Sequence, residues 1–218
     1  MTSPTNPTTP TISTMRKRWT RRKSVMTAAV LVAAAAAATG GALSAAADGD
    51  RRHRIVEVDV AENGTRFVID EAPVFEDGFP AYGNPFLTQG YIYPAGTLSD
   101  SNGVNPDGSP EFPDKVIGEW SCRGYFIADG AHTTEGSWVF TTQLFAFGDD
   151  ADTGAETVVV TGYEGSEVGE VVTGAITGGT GRFSTARGEA DQELVGINNP
   201  ELPTMGINKT VILELDRG

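Results

Sequence analysis

Between Ala175 and Ala190 the chain reads AITGGTGRFSTARGEA, with three glycines in four positions followed at once by Arg182, Phe183 and Arg187. Glycine reaches φ > 0 without a Cβ clash, so the cluster marks a sharp backbone bend with a cationic and aromatic edge. Two arginines beside such a bend could grip an anionic ligand group, because the guanidinium fork matches a carboxylate. The competing reading is an ion pair with Glu189 or Asp191 that pins the turn. A phosphate-cradling loop is excluded by spacing. Gly181 runs into Arg182-Phe183 rather than Lys-Ser/Thr, the glycines lack dinucleotide-fingerprint spacing, and no helical pattern follows.

Other chemistry-bearing residues are sparse. Asp149, Asp150 and Asp152 suggest calcium, but Gly154 occupies the third ligand position and the closing Glu is missing, which reads as a solvated hairpin tip. One Cys and two His argue against zinc, so no metal is expected. Cys122 is distant in sequence from both His53 and His132, which disfavours a thiol nucleophile, and no hydrolase motif occurs. Nothing points to a cofactor.

Residues 1–47 form a separate object. A Pro/Thr-rich start (1–14) has a disordered composition, and Met15 is an alternative initiator. Six basic and no acidic residues precede an Ala/Val-rich run (25–38) and the small residues Ala45–Ala47, the three parts of an export signal. Arg21-Arg22 admits the twin-arginine (Tat) route as well as Sec. A secreted, extracellular protein is expected, with retention as an N-terminal membrane anchor the lesser alternative. With those six basic residues removed, ten face 29 acidic ones, a net charge of −19. Such a chain repels phosphate backbones, so nucleic acid is not an expected partner. No membrane association is expected after cleavage. With a single cysteine there is no intrachain disulfide.

Residues 48–54 read as a linker and 55–218 as one domain, of a size that supports its own core. Apolar and polar residues alternate with period two, and no long helical pattern appears. Ile55–Val60 and Arg66–Ile69 flank Asn63-Gly64, a hairpin signal. Further runs are 86–93, 116–128, 137–147, 156–163, 171–177, 188–195 and 209–215, giving nine extended segments and an all-β sandwich or barrel. Residues 96–114, rich in Gly, Pro, Asp, Ser and Asn, read as one long surface loop.

On that all-β frame, GGTGRFSTARGEA resembles the GGTG-aromatic-x-x-ARG signature of dirigent proteins and allene oxide cyclase-like barrels. Asn84-Pro85-Phe86-Leu87-Thr88 is similar to the dirigent Asp-x-Pro-Leu-Thr segment, and Val116–Trp120 with Gly124–Phe126 resembles the strand that follows. With Cys122 in WSCRGYF and the export signal, the chain looks most like secreted bacterial members of the group. The resemblance implies an eight-stranded antiparallel barrel, commonly a homotrimer, with an apolar lumen. It also implies isomerase-like or stereo-guiding chemistry on a small apolar or phenolic molecule, with a lipocalin-like binder or a filled structural barrel as alternatives. Confinement would supply the geometry and a few polar groups the proton transfers.

The family's carboxylate has no match, since Asn84 adjoins Pro85 and cannot accept a proton. Candidate lumen polar groups are Asn84, Tyr91, Arg123, Tyr125 and Gln143; Arg182 and Arg187 are candidates at the mouth, and Tyr93 and Tyr163 are further isolated hydroxyls. Trp120, Cys122, Gly124 and Phe126 share one strand face against Ser121, Arg123 and Tyr125, and either face could line the lumen.

Overall fold

The computed structural model describes residues 54–199 and 206–216; the expected export signal lies outside them, as does the expected linker except for Arg54. Nine strands form one antiparallel sheet: β1 (Arg54–Glu62), β2 (Val68–Ile69), β3 (Pro85–Pro94), β4 (Gly118–Phe126), β5 (Ser137–Phe147), β6 (Thr157–Gly165), β7 (Val171–Gly179), β8 (Gly188–Asn198) and β9 (Gly206–Leu215). Neighbours run β3 through β9 in chain order, β9 pairs with β1, and β1 pairs with β3. That last pairing closes an eight-stranded barrel and leaves no long free edge. β2 adds only two residues to the outer side of this ring.

The Asn63-Gly64 hairpin does not form. Asn63 has φ −92° and caps a short 3-10 turn (Gly64–Arg66), accepting from Thr65 N at 3.1 Å. The segment beyond it pairs with β3, Val68 opposite Leu87, and not with β1. Closure by β3 occupies the edge of β1 that a hairpin would have used, so tertiary pairing overrides the local turn signal.

Each strand sends alternate side chains inward. Val58 and Val60 of β1, Trp120 and Cys122 of β4, Phe145 of β5, Val158 and Val160 of β6, and Val211 and Leu213 of β9 make one continuous core. Residues 95–117 do not float. Leu98 and Val104 pack on Ala61 and Tyr93 as a second apolar cluster on the outer wall. Leu98 N donates to Asp59 Oδ2 at 2.8 Å, and Tyr93 Oη donates to Gly103 O at 2.6 Å.

The glycine cluster ends β7 and plugs the barrel. Gly181, at φ +55°, sits where a Cβ would collide with the Ala155 carbonyl. It opens a 3-10 turn (Gly181–Phe183) that drives buried Phe183 against Phe147, ring centroids 5.4 Å apart. At the opposite end Phe67, Phe86, Phe126 and Trp138 pack in succession with ring centroids 5.3–6.2 Å apart, the first pair stacked, the second tilted and the last edge to face. A β-bulge between Ser137 and Val139 interrupts the alternation at Trp138 and lets its indole join them.

Candidate functional site

Between the two aromatic ends, the lumen carries charge. Along β5 the inward series runs Phe147, Phe145, Gln143, Thr141, Val139, so the polar pair lies midway. Gln143 is opposite Cys122 on β4, which is opposite Thr88 on β3. Lys209 shares the inward parity of Val211 and Leu213, Glu164 that of Val158 and Val160, and Gln192 that of Ala190.

Lys209 is the hub. Its Nζ donates to Glu164 Oε2 at 2.7 Å, to Gln143 Oε1 at 2.9 Å and to Gln192 Oε1 at 3.4 Å. The ammonium also sits 4.2 Å from the centre of the Trp120 ring, a cation–π contact. Trp120 Nε1 donates to Gln143 Oε1 at 2.9 Å, and Gln143 Nε2 donates to Gln192 Oε1 at 2.8 Å. Because Lys209 holds both amide oxygens, both amide NH₂ groups are turned the other way. The ion pair is buried, with side chains 3% and 9% exposed. Burying two charges is costly even when they are paired, so the arrangement needs a reason beyond packing.

A second carboxylate completes the site. Glu62 closes the inward series Val56, Val58, Val60 and is buried. Its Oε2 accepts from Ile207 N at 2.9 Å. Burial raises its pKa to about 7, opposed by Thr88, by the charge of Lys209 and by the Ile207 amide, while Glu164 adds to the rise. A carboxylate so placed exchanges its proton near neutrality, the property a general acid or base needs. Cys122 Sγ lies 3.5 Å from Glu164 Oε1, and burial, then that carboxylate, push its thiol well up. It is a buried thiol and no nucleophile.

The sequence-derived candidates divide. Gln143 lies in the polar belt. The Trp120 face of β4 points inward, which puts Arg123 and Tyr125 on the outer surface, both exposed. Tyr91 also faces outward and donates to Gly108 O at 2.8 Å, holding the outer loop. Asn84 is fully buried but sits before β3 and serves backbone: it donates to Asp70 O and Pro73 O at 3.0 and 2.8 Å and accepts from Asp70 N at 3.1 Å. Of the further tyrosines, Tyr93 is buried against the outer loop and Tyr163 is exposed beside Phe140.

Arg182 pairs with Glu156 at 3.0 Å, not with Glu189 or Asp191, and lies over Phe183. It also lines a groove of about 450 Å³ together with Val56, Val116, Ile117 and Phe147. Arg187 donates to Ala186 O at 2.6 Å, while Asp191 takes the Thr173 hydroxyl at 2.6 Å. Glu62, Glu164, Gln192 and Lys209 escaped sequence reasoning. The signal that marks three of them is a charged residue at the inward parity of an otherwise apolar strand.

The fold and this site define a closed antiparallel β-barrel with an ionised polar belt inside it. No family model matches the chain, and no curated protein matches it. Among solved structures it is similar to the pterocarpan synthase dirigent protein PsPTS1, at TM-score 0.51 and 15% identity over 77% of this chain and 97% of that one. The pterocarpan synthase dirigent protein GePTS1 gives TM-score 0.51 and 16% identity over 76% and 86%. The Diels-Alderase AbmU from Streptomyces koyangensis matches at TM-score 0.42 and 16% identity over 79% and 73%. The two dirigent structures establish the likeness as one of fold, a dirigent-like barrel.

Proposed function

We propose that the barrel is an isomerase-like or stereo-guiding catalyst that confines a small apolar or phenolic molecule beside the Lys209–Glu164–Glu62 belt. The observation that carries this reading is the belt itself: a buried ion pair, two oriented glutamine amides and a carboxylate titrating near pH 7, inside apolar walls. Apolar walls fix the substrate's conformation, and the belt moves a proton or stabilises developing charge where water does not compete. The dirigent-like fold is consistent with such a role and does not by itself assign it. Export, with action outside the cell, belongs to the same proposal.

A filled, non-catalytic barrel is the second reading. It is favoured by the close packing of Trp120, Phe145 and Leu213 in the lumen and by the engagement of all three Lys209 protons. Native mass spectrometry of the purified protein, followed by incubation with whatever molecule it retains, separates the two. A change of ring form or chirality that disappears in Lys209→Met supports catalysis. A retained molecule that stays unchanged makes the protein a binder, and a barrel that excludes small molecules makes it a scaffold.

A further inference from the structure

The belt has a directional imbalance. Among the described residues, its Gln192 Nε2 is a buried donor with no hydrogen-bond partner. The Gln192 amide is held in that orientation, because its oxygen accepts from both Gln143 Nε2 and Lys209 Nζ. Turning it over would place NH₂ against two donors. An unmade buried hydrogen bond costs about 1–3 kcal/mol, so a donor fixed in this way selects for a partner that brings an acceptor. The second feature is Glu62, a buried carboxylate whose Oε2 accepts from the Ile207 amide at 2.9 Å. That carboxylate lies within the field of Lys209.

Resting on the catalytic reading above, we infer that the substrate carries a ketone-type carbonyl whose oxygen takes the Gln192 amide proton, and that Glu62 moves a proton at the adjacent carbon. The step is redox-neutral. The α C–H bond breaks and its proton passes to the Glu62 carboxylate. The C–H electron pair becomes the C=C bond of an enolate, and the carbonyl π pair moves onto the oxygen that Gln192 Nε2 holds. Return of the proton from Glu62 to the same carbon, or to a conjugated one, gives the epimer or the shifted double bond. Lys209 acts as a positioning residue: it orients both glutamines and supplies positive charge near the enolate without touching it. Burial raises the Glu62 pKa toward neutrality, which makes the carboxylate a stronger base than an exposed one.

β-Tetralone and tetralin share one bicyclic skeleton and differ at the carbonyl, so they serve as matched probes. The purified protein is incubated with each in deuterium oxide at pH about 8, above the Glu62 midpoint of about 7. Loss of the α-proton signals is followed by NMR, and lumen entry is read from the indole resonance of Trp120. The expected result is preferential binding of β-tetralone and protein-accelerated α-exchange, reduced roughly 100-fold in Glu62→Gln. Gln192→Met should lower exchange and abolish the preference over tetralin, with thermal unfolding checking that each variant folds. Equal binding of both probes with exchange at the buffer rate overturns the inference while leaving a small-molecule lumen intact. Exclusion of both overturns the inference together with the catalytic reading.

Discussion

Lys209 Nζ and Glu164 Oε2 lie 2.7 Å apart inside the barrel, across from each other on β9 and β6, strands that are not neighbours in the sheet. The pair therefore spans the lumen, and the glutamines that flank it come from β5 and β8. Four strands thus meet at one ammonium.

Removing one partner leaves the other charged and buried. Lys209→Met should destabilise the protein by about 3–5 kcal/mol in a denaturant titration. The double variant Lys209→Met/Glu164→Leu should recover most of that loss, because the apolar lumen accepts an uncharged pair. A double variant as unstable as the single one would mean that the pair is held by something other than its charges.

Glu62 predicts the shape of the pH–stability curve. Its folded pKa, about 7, lies above the ordinary 4.5, so the native state holds the proton more tightly than the unfolded state. That contribution is fully present below pH 4.5 and is lost as pH rises through 7. The loss is on the order of 3 kcal/mol across that interval. Glu62→Gln should remove this decline from unfolding free energies measured between pH 4 and about 8, and should be the more stable protein at the alkaline end.

The glycine-rich bend and its arginine should respond very differently. Gly181→Val places a β-branched residue at φ +55° against the Ala155 carbonyl and should cost more than about 1–2 kcal/mol, with loss of the Phe183 plug. Arg182→Gln breaks a half-exposed ion pair and should cost less than about 1 kcal/mol. Thermal unfolding of the two variants side by side gives the comparison.

Asn84 should act locally. Asn84→Ala removes three hydrogen bonds to the backbone of Asp70 and Pro73, worth about 1–3 kcal/mol where the groups stay buried. Hydrogen exchange should rise across residues 70–83 and stay unchanged in β5 and β6. A uniform rise over the whole barrel would contradict a purely local role.

The architecture was legible because period-two alternation runs through most of each barrel strand despite local bulges, and Ser137–Phe147 matches its observed bounds. Closure was not legible locally: Asn63-Gly64 reads as a hairpin, yet the edge of β1 is taken by β3, whose partner residues lie some thirty positions on. The face of β4 was ambiguous for a physical reason. Both of its faces carry aromatics, and only the ring of neighbours decides that Trp120 turns in and Tyr125 out. The belt was hidden because Lys209, Glu164 and Glu62 look solvated when each strand is read alone. Set against Val211, Val160 and Val60 at the same parity, they read as inward charges, and their convergence requires the closed barrel.

The most direct test of a substrate-holding, proton-moving lumen is native mass spectrometry of the wild-type protein beside Lys209→Met/Glu164→Leu, each offered β-tetralone. The wild type should retain the ketone as a stoichiometric adduct, and the double variant, folded but without the belt, should hold far less of it. Equal retention in both, or none in either, would contradict a functional role for the Lys209–Glu164 pair.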